Sequence, residues 1–247
     1  MVFDPKRVET AKVFQPPLLV LYGEPGIGKT TFAVSAPKPF VIDFENGSKN
    51  FEVARVHPES LDDMHEILDF LLNEQHDYES IVLDSADWLE SSIHKKICKE
   101  SGANTISDKR NDATAFGNGH IKAANEFKYV LMRLEEIRNK RNMAIIITGH
   151  SHIKKIDEPD GGAYDKYVIK LHDKAGSVLT EWATAILFAK KETKLDQNGK
   201  AHEGKRVLVA DGTKASTAKN RLELPSTMNM SWNDFIKSIG TNPFIQQ

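Results

Sequence analysis

The sequence contains the stretch Gly23-Glu24-Pro25-Gly26-Ile27-Gly28-Lys29-Thr30, which has the spacing G-x-x-x-x-G-K-[ST]. An apolar run over 18–22 precedes it and is typical of a buried parallel strand, and residues 30–35 are typical of the first turns of a helix. Glycines in such a loop let successive backbone N–H groups point into one concavity, at the positive end of a helix dipole. This strand–loop–helix context predicts a triphosphate-binding loop rather than a chance match in a glycine-containing turn.

The phosphate loop supplies the residues that we expect to contact the nucleotide. Lys29 is predicted to reach the β- and γ-phosphates, and the Thr30 hydroxyl is predicted to bind Mg²⁺. The full predicted contact set is Gly23, Glu24, Pro25, Gly26, Ile27, Gly28, Lys29, Thr30 and Thr31.

Length and composition fit a single large α/β domain, because the chain has 247 residues, of which 40% are hydrophobic and 28% charged. The formal charge of −2 gives no general evidence for nucleic-acid binding, so any such evidence must be local. The single cysteine, Cys98, excludes an intramolecular disulfide and suits a reducing cytosol. We expect no signal peptide and no membrane span.

The pattern along the chain alternates strands with helices, and this predicts a mostly parallel sheet flanked by helices with antiparallel strands towards the C-terminus. We expect a lead-in over 1–17 and one domain over 18–247. The predicted strands are 18–22, 39–43, 80–84, 143–148, 185–194 and 205–210, the last two joined by the turn Asp196-Gln197-Asn198-Gly199. The predicted helices are 61–73, 120–139, 176–183 and 231–239, the last capped by Ser231, with another helix starting near Trp88. Two long polar loops are predicted over 101–119 and 151–165.

Two carboxylates follow predicted strands and have candidate roles. Asp84 ends the hydrophobic strand Ile81-Val82-Leu83, which is the Walker B form, where an aspartate holds Mg²⁺. The alternative is that Asp84 caps the next helix. Glu45 comes just after the second strand, where it could polarise the water that attacks the γ-phosphate. Its alternative is a solvated loop residue.

His150 follows the fourth predicted strand, where a polar group can sense the γ-phosphate and pass that signal to the following loop. His150 and His152 together are only a weak indication of a metal site, because no third ligand is evident in the sequence.

Lys219 and Arg221 lie two residues apart in a predicted extended segment, so they would face the same side. A pair of cations suits a polyanion such as a neighbour's triphosphate. The alternative is a solvated pair on an edge strand.

A guanine-specific enzyme is excluded. Thr193-Lys194-Leu195-Asp196 resembles the guanine-reading motif, but Asp84 is followed by Ser85-Ala86-Asp87 and therefore lacks the D-x-x-G that GTPases need.

Taken together, these motifs resemble the RecA-like ATPases over about 18–225, and especially the small phage-encoded nucleotide-binding proteins that are often assigned as single-strand annealing recombination proteins. The resemblance implies ATP and Mg²⁺ as cofactors, Asp84 as a metal ligand and Glu45 as the catalytic glutamate. His150 departs from the glutamine usual at that position. Lys219 and Arg221 look like the fingers that reach the ATP of the next subunit, which implies a ring or filament.

The resemblance also implies that the two long loops contact single-stranded DNA. Lys109, Arg110 and Phe116 lie in the first loop, and Lys154 and Lys155 in the second. Such binding needs cations for phosphates and rings for bases, but nearby carboxylates dilute the charge. Ordinary solvated loops are the alternative.

The function implied is an ATPase, slow until stimulated by DNA and oligomerisation, that promotes annealing or strand pairing in phage recombination in the host cytoplasm. A single-strand binding protein or helicase is a candidate partner, and a membrane is not. The alternatives are an ATP-dependent switch module that recruits a helicase or recombinase, and a hexameric helicase core. The domains that larger relatives carry at either end, and a cysteine-rich zinc module, have no counterpart in these residues.

Overall fold

A computed structural model describes residues 15–158, 161–196 and 201–239. The strands are β1 (Leu18–Gly23), β2 (Pro39–Asp43), β3 (Ala54–Val56), β4 (Ser80–Asp84), β5 (Ala144–Glu158), β6 (Gly162–Ile169), β7 (Ala185–Leu195), β8 (Ala201–Val209), β9 (Lys219–Asn220) and β10 (Thr227–Asn229). The helices are α1 (Lys29–Ala33), α2 (Leu61–Asn73), α3 (Ala86–Ser101), α4 (Asn118–Arg141), α5 (Asp173–Trp182) and α6 (Trp232–Ser238).

The strands form a sheet in the order β10-β8-β7-β1-β5-β4-β2-β3, with β6 paired to β5 and β9 paired to β7. The six strands from β7 to β3 run parallel to one another, whereas β8, β9 and β10 pair antiparallel at the other side. The predicted fold class is confirmed.

The central strands are buried on both faces, which explains their continuous apolar sequences. Leu18 and Val20 of β1 belong to the core that includes residues of α2, α3, α4 and α5. Leu19 and Leu21, which point to the opposite face, pack with residues of α1 and α6. The sheet therefore separates two hydrophobic layers and holds the ends of its strands in fixed positions.

Most predicted elements are confirmed. The structure matches the predictions for β2, β4 and α2 residue for residue, and it extends the predicted helix over 120–139 by two residues at each end. Ser231 caps α6, since its hydroxyl accepts a hydrogen bond from the Asp234 backbone N–H at 3.4 Å. The short strand β3 was not predicted.

The prediction of a second polar loop over 151–165 is wrong. β5 continues to Glu158, and β6 begins at Gly162, so the segment is mostly a β-hairpin. Beyond the sheet, the strand that pairs with β5 among the described residues is β6, and Ile153 is 58% exposed there. A two-stranded ribbon with little apolar burial does not need the hydrophobic pattern by which strands are recognised.

Some predicted features lie outside the described residues. These are residues 1–14 of the lead-in, 159–160 at the hairpin tip and 197–200 of the turn between β7 and β8. Within the described ranges, no helix is both long enough and apolar enough to cross a membrane.

Three histidines meet where α3, α4 and the start of α5 come together. The rings of His120 and His172 stack at a centroid distance of 3.8 Å, and the ring of His94 lies 5.6 Å from that of His120. Burial lowers the pKa of His94 to about 4, and the neighbouring imidazoles act in the same direction.

Replacing His94 with Gln is expected to weaken the acid sensitivity of the fold. The folded chain holds the His94 proton less tightly than the unfolded chain, because the folded-state pKa of His94 is below the ordinary 6.5. The free energy of unfolding should therefore be highest above pH 6.5 and fall as the pH drops towards 4. Urea unfolding at pH 7 and pH 5 should show a smaller loss for His94→Gln than for the unmodified chain. Equal losses in the two proteins would contradict this assignment.

Candidate active site

The carboxyl ends of the parallel strands meet at one edge of the sheet. Gly23 pairs in register with His150, and Asp43 pairs with Asp84. Ligands commonly bind at this edge of α/β sheets. Residues from five separate segments line one cleft of about 450 Å³: Pro25, Gly26, Gly28, Lys29, Thr30, Thr31, Glu45, Phe51, Asp84, His150 and Arg206.

The phosphate loop joins β1 to α1. Gly28 stands before the first residue of α1 with φ of 105°, a conformation that other residues rarely adopt. Lys29 is buried, and its Nζ donates to the carbonyl oxygens of Gly23 at 3.1 Å and Glu24 at 3.0 Å. Burial lowers the pKa of Lys29, whereas the charges of Asp84 and Glu45 raise it. This ammonium and the helix N-terminus suit the phosphates of a nucleotide.

A cluster of oxygen atoms lies beside the loop. The Thr30 hydroxyl donates to Asp84 Oδ2 at 2.7 Å, and the Thr148 hydroxyl donates to the other carboxylate oxygen. The Asp84 carboxylate is thus hydrogen-bonded by both Thr30 and Thr148. The helix α3 begins after the next residue, Ser85. Hydroxyl and carboxylate oxygens are the ligands that Mg²⁺ prefers, so the residues present fit the predicted metal.

Asp43 shapes the turn that carries Glu45. Its buried carboxylate accepts hydrogen bonds from the backbone N–H groups of Glu45 at 3.1 Å, Gly47 at 3.1 Å and Ser48 at 2.8 Å. The Ser48 hydroxyl adds a further bond at 2.5 Å. This turn fixes the backbone of Glu45 at the end of β2. A short polar side chain that bonds the backbone just after it is a recognisable sequence signal for such a turn.

Glu45 and His150 are joined by a polar network that the sequence did not predict. The Ser85 hydroxyl contacts Glu45 Oε1 and lies 2.9 Å from Asp87 Oδ1. His150 Nδ1 lies 3.0 Å from Asp87 Oδ2, and the His150 backbone N–H donates to Asp87 Oδ1 at 3.2 Å. The network is therefore Glu45–Ser85–Asp87–His150.

The two carboxyls of this network have opposite pKa shifts. Burial raises the pKa of Glu45, although the Ser85 hydrogen bond and the His150 charge oppose the shift. Burial also opposes ionisation of Asp87, but the bonds from His150 and Ser85 outweigh it and lower the pKa of Asp87. Glu45 is therefore the more basic carboxylate, and Asp87 is suited to hold His150 in place.

The same network supplies ligands near His150 that the sequence did not reveal. One ligand atom each from Glu45, Asp87 and His150 lies within 4.8 Å of the others, so this group could hold a metal ion. His152 is not part of it.

Arg206 is a cleft residue that sequence reasoning missed. It lies on β8, and a Cβ atom built on Gly28 would be 3.2 Å from its Nη1. The sequence around Arg206 contains no motif that would identify it. Arg206 reaches the site through the pairing of β8 with β7.

Lys219 and Arg221 are not brought to this cleft. β9 pairs with Ala185 and Ile186, near the amino end of β7, whereas the phosphate loop starts beside Ala189. The Lys219 ammonium donates to the carbonyl oxygens of Thr180 at 2.6 Å and Glu181 at 2.8 Å.

The predicted DNA-contacting residues are at the surface. Lys109 and Arg110 are exposed, and Phe116 is 98% exposed. On the hairpin, Lys155 is exposed, whereas Lys154 forms an ion pair with Asp173 at 2.5 Å.

A family model described as AAA domain matches residues 15–222, which is most of the chain. No curated protein matches the sequence.

Proposed function

This chain belongs to the AAA domain family of P-loop ATPases, and from this premise we propose that it is a RecA-like ATPase that binds single-stranded DNA and promotes annealing or strand pairing in phage recombination. ATP binds with Mg²⁺ on the phosphate loop. The observation that carries the proposal is the continuity of β5, which begins in the sheet, passes the ATP site at His150 and continues into the exposed hairpin.

In the proposed reaction, Lys29 and the Thr30 and Asp84 oxygens position the triphosphate and its Mg²⁺. The metal neutralises charge on the phosphates when it is bound. Glu45 orients and deprotonates the attacking water, for which its raised pKa suits it. Asp87 acts as a positioning residue, because it holds both the backbone and the ring of His150. His150 senses the γ-phosphate and transmits its state along β5.

The DNA part of the proposal is supported by the surface next to this network. Phe116 is 98% exposed and Trp88, next to Asp87, is 45% exposed, and both rings are available for base stacking. The stacked pair of His120 and His172 connects the start of α4, after the loop that carries Phe116, to the base of the hairpin. The end of the first predicted DNA segment, next to His120, is therefore linked to the chain that leaves the hairpin, at His172.

Steady-state ATP hydrolysis with and without oligothymidylate tests the proposal. We expect oligothymidylate to raise the rate of ATP hydrolysis at least about tenfold, because hydrolysis by a DNA-dependent ATPase is coupled to DNA binding. The triple variant Lys109→Ala, Arg110→Ala, Phe116→Ala should keep the basal rate but lose the stimulation.

The alternatives give different results in the same set of assays. An unchanged slow rate at saturating oligothymidylate would contradict the proposal and favour a switch module that recruits a helicase or recombinase. A fluorescent strand-annealing assay beside a duplex-unwinding assay then separates annealing from the action of a helicase core.

A further inference from the structure

Glu45, Asp87 and His150 form a compact group of possible metal ligands beside the phosphate loop. The His150 Nδ1 atom lies 3.0 Å from Asp87 Oδ2 and 3.7 Å from Glu45 Oε1. In the part of the chain that the structure describes, these are the three residues whose ligand atoms all lie within 4.8 Å of one another. The three histidines His94, His120 and His172, although their rings are close, do not form such a group.

The spacing of these atoms fits a single metal ion. Zinc binds imidazole nitrogen and carboxylate oxygen at about 2.0–2.2 Å, so two ligand atoms on one tetrahedral ion are about 3.5 Å apart. The measured distances of 3.0 Å and 3.7 Å lie on either side of that value. Small movements of the side chains are therefore enough to bring all three ligand atoms onto one ion.

The charge of the group favours a dication. Glu45 and Asp87 share His150 as an ion-pair partner, and over 15–158, 161–196 and 201–239 neither carboxylate pairs with a lysine or arginine. The two carboxylates raise the pKa of Lys29, but its ammonium donates to backbone carbonyls instead. Even a protonated imidazole balances only one of the two negative charges, whereas a dication beside a neutral imidazole balances both.

Hydrogen bonds from outside the ligand atoms hold the group in position. The Ser85 hydroxyl contacts Glu45 Oε1 and lies 2.9 Å from Asp87 Oδ1. The His150 backbone N–H also donates to Asp87 Oδ1, at 3.2 Å. These bonds engage one oxygen of Asp87 and leave Oδ2 beside the imidazole, as is usual for a carboxylate that is oriented to bind a metal.

The group can be reached by an ion from two clefts. Glu45 and His150 line the cleft at the phosphate loop. Asp87 lines a different cleft of about 690 Å³, which lies against the base of the hairpin and includes His152 and Lys170. A metal could therefore enter from the hairpin side even when a nucleotide fills the first cleft.

The ligand types decide which metal suits the group. An imidazole nitrogen with two carboxylates favours a borderline ion such as Zn²⁺, whereas Mg²⁺ prefers oxygen ligands only. The hydroxyl of Thr30 and the carboxylate of Asp84 supply the oxygen ligands for Mg²⁺. The two positions are thus chemically distinct.

We propose that Glu45, Asp87 and His150 form an inhibitory binding site for a transition-metal dication of the Zn²⁺ class. Binding of the metal depends on this group alone. Inhibition rests on the proposed function, in which Glu45 takes a proton from the attacking water. A Glu45 oxygen that is bonded to Zn²⁺ cannot take that proton, so the metal blocks hydrolysis while MgATP stays bound.

Calorimetric titration of Zn²⁺ into the full chain, without nucleotide, tests the site. We expect one tight site per chain, which excess Mg²⁺ does not occupy. Asp87→Asn and His150→Gln should raise the Kd for Zn²⁺ at least about 100-fold, and Ser85→Ala, which removes only a supporting hydrogen bond, about tenfold. The controls His152→Gln and His94→Gln each remove an imidazole outside the group and should change the Kd by less than about twofold.

Steady-state hydrolysis at saturating MgATP and excess Mg²⁺ measures the inhibition. Zn²⁺ should lower the rate of the unmodified chain at the concentrations that fill the site, and a zinc-selective chelator should restore the rate. The His152→Gln variant should be inhibited at the same Zn²⁺ concentrations as the unmodified chain.

Several outcomes overturn the proposal. The first is the absence of tight Zn²⁺ binding to the unmodified chain. The second is a loss of binding in His94→Gln with none in Asp87→Asn and His150→Gln, which places the metal at the three histidines. The third is a filled site with an unchanged or faster rate. Asn has the size of Asp, so Asp87→Asn reports on binding even if His150→Gln fails to fold. Because binding is measured without nucleotide, failure of the chain to hydrolyse ATP would contradict the proposed function and leave the binding result intact.

Discussion

Replacing Glu45 with Gln is expected to lower the maximal rate of ATP hydrolysis by about 10²–10⁴-fold, the usual contribution of a general base. Gln keeps the size of Glu and can still bond to the Ser85 hydroxyl, but it cannot take a proton from water. The affinity for MgATP should stay nearly unchanged, because Lys29, Thr30 and Asp84 remain in place. Single-turnover hydrolysis and equilibrium nucleotide binding measure the two effects separately.

Glu52→Gln is the matched control, since Glu52 is an exposed carboxylate seven residues further along the chain. A similar loss of rate in both variants would contradict the specific role of Glu45. The pH profile gives a second measurement. Because burial raises the pKa of Glu45, the rate should fall with decreasing pH already above the ordinary range of a glutamate.

The parts of the site that could be predicted from the sequence are those that depend on local order along the chain. The loop over 23–30 carries its spacing within eight residues, and Glu45 and Asp84 each lie at or just after the end of an apolar strand. Parallel strands place their carboxyl ends at one edge, so recognising each strand is enough to bring these groups together.

The remaining parts depend on contacts between segments that no local pattern encodes. Asp87 is a first-turn residue of α3, where an acidic residue is commonplace, yet it holds His150 across 63 residues of sequence. Arg206 reaches the cleft only because β8 turns back against β7. The outer part of the hairpin of β5 and β6 was predicted as a loop because it buries little apolar surface, as the 58% exposure of Ile153 shows.

The double variant Lys219→Ala, Arg221→Ala is expected to lower ATP turnover by about 10³–10⁵-fold if these residues are fingers that act on the next subunit. Lys219 and Arg221 are not placed to contact a nucleotide on the phosphate loop of their own subunit. In the register of β7, Lys219 lies opposite Ile186, three positions or roughly 10 Å before the residue beside Gly23. Arg206, by contrast, is beside the phosphate loop of its own subunit. A neighbour's cations would therefore complete a site that already holds two cations of its own, Lys29 and Arg206.

Mixing the Lys29→Ala variant with the Lys219→Ala, Arg221→Ala variant tests whether Lys219 and Arg221 act on the ATP site of the next subunit. Lys29→Ala lacks a functional ATP site but keeps the fingers, whereas the double variant keeps the site but lacks the fingers. If the fingers act between subunits, mixed assemblies should regain ATP hydrolysis, because a Lys29→Ala subunit can serve the site of its neighbour. Arg206→Gln, whose lost group acts within its own subunit, should not be rescued by Lys29→Ala. Hydrolysis by the double variant at the rate of the unmodified chain, or no recovery in mixtures that size-exclusion chromatography shows to be co-assembled, would contradict the finger assignment.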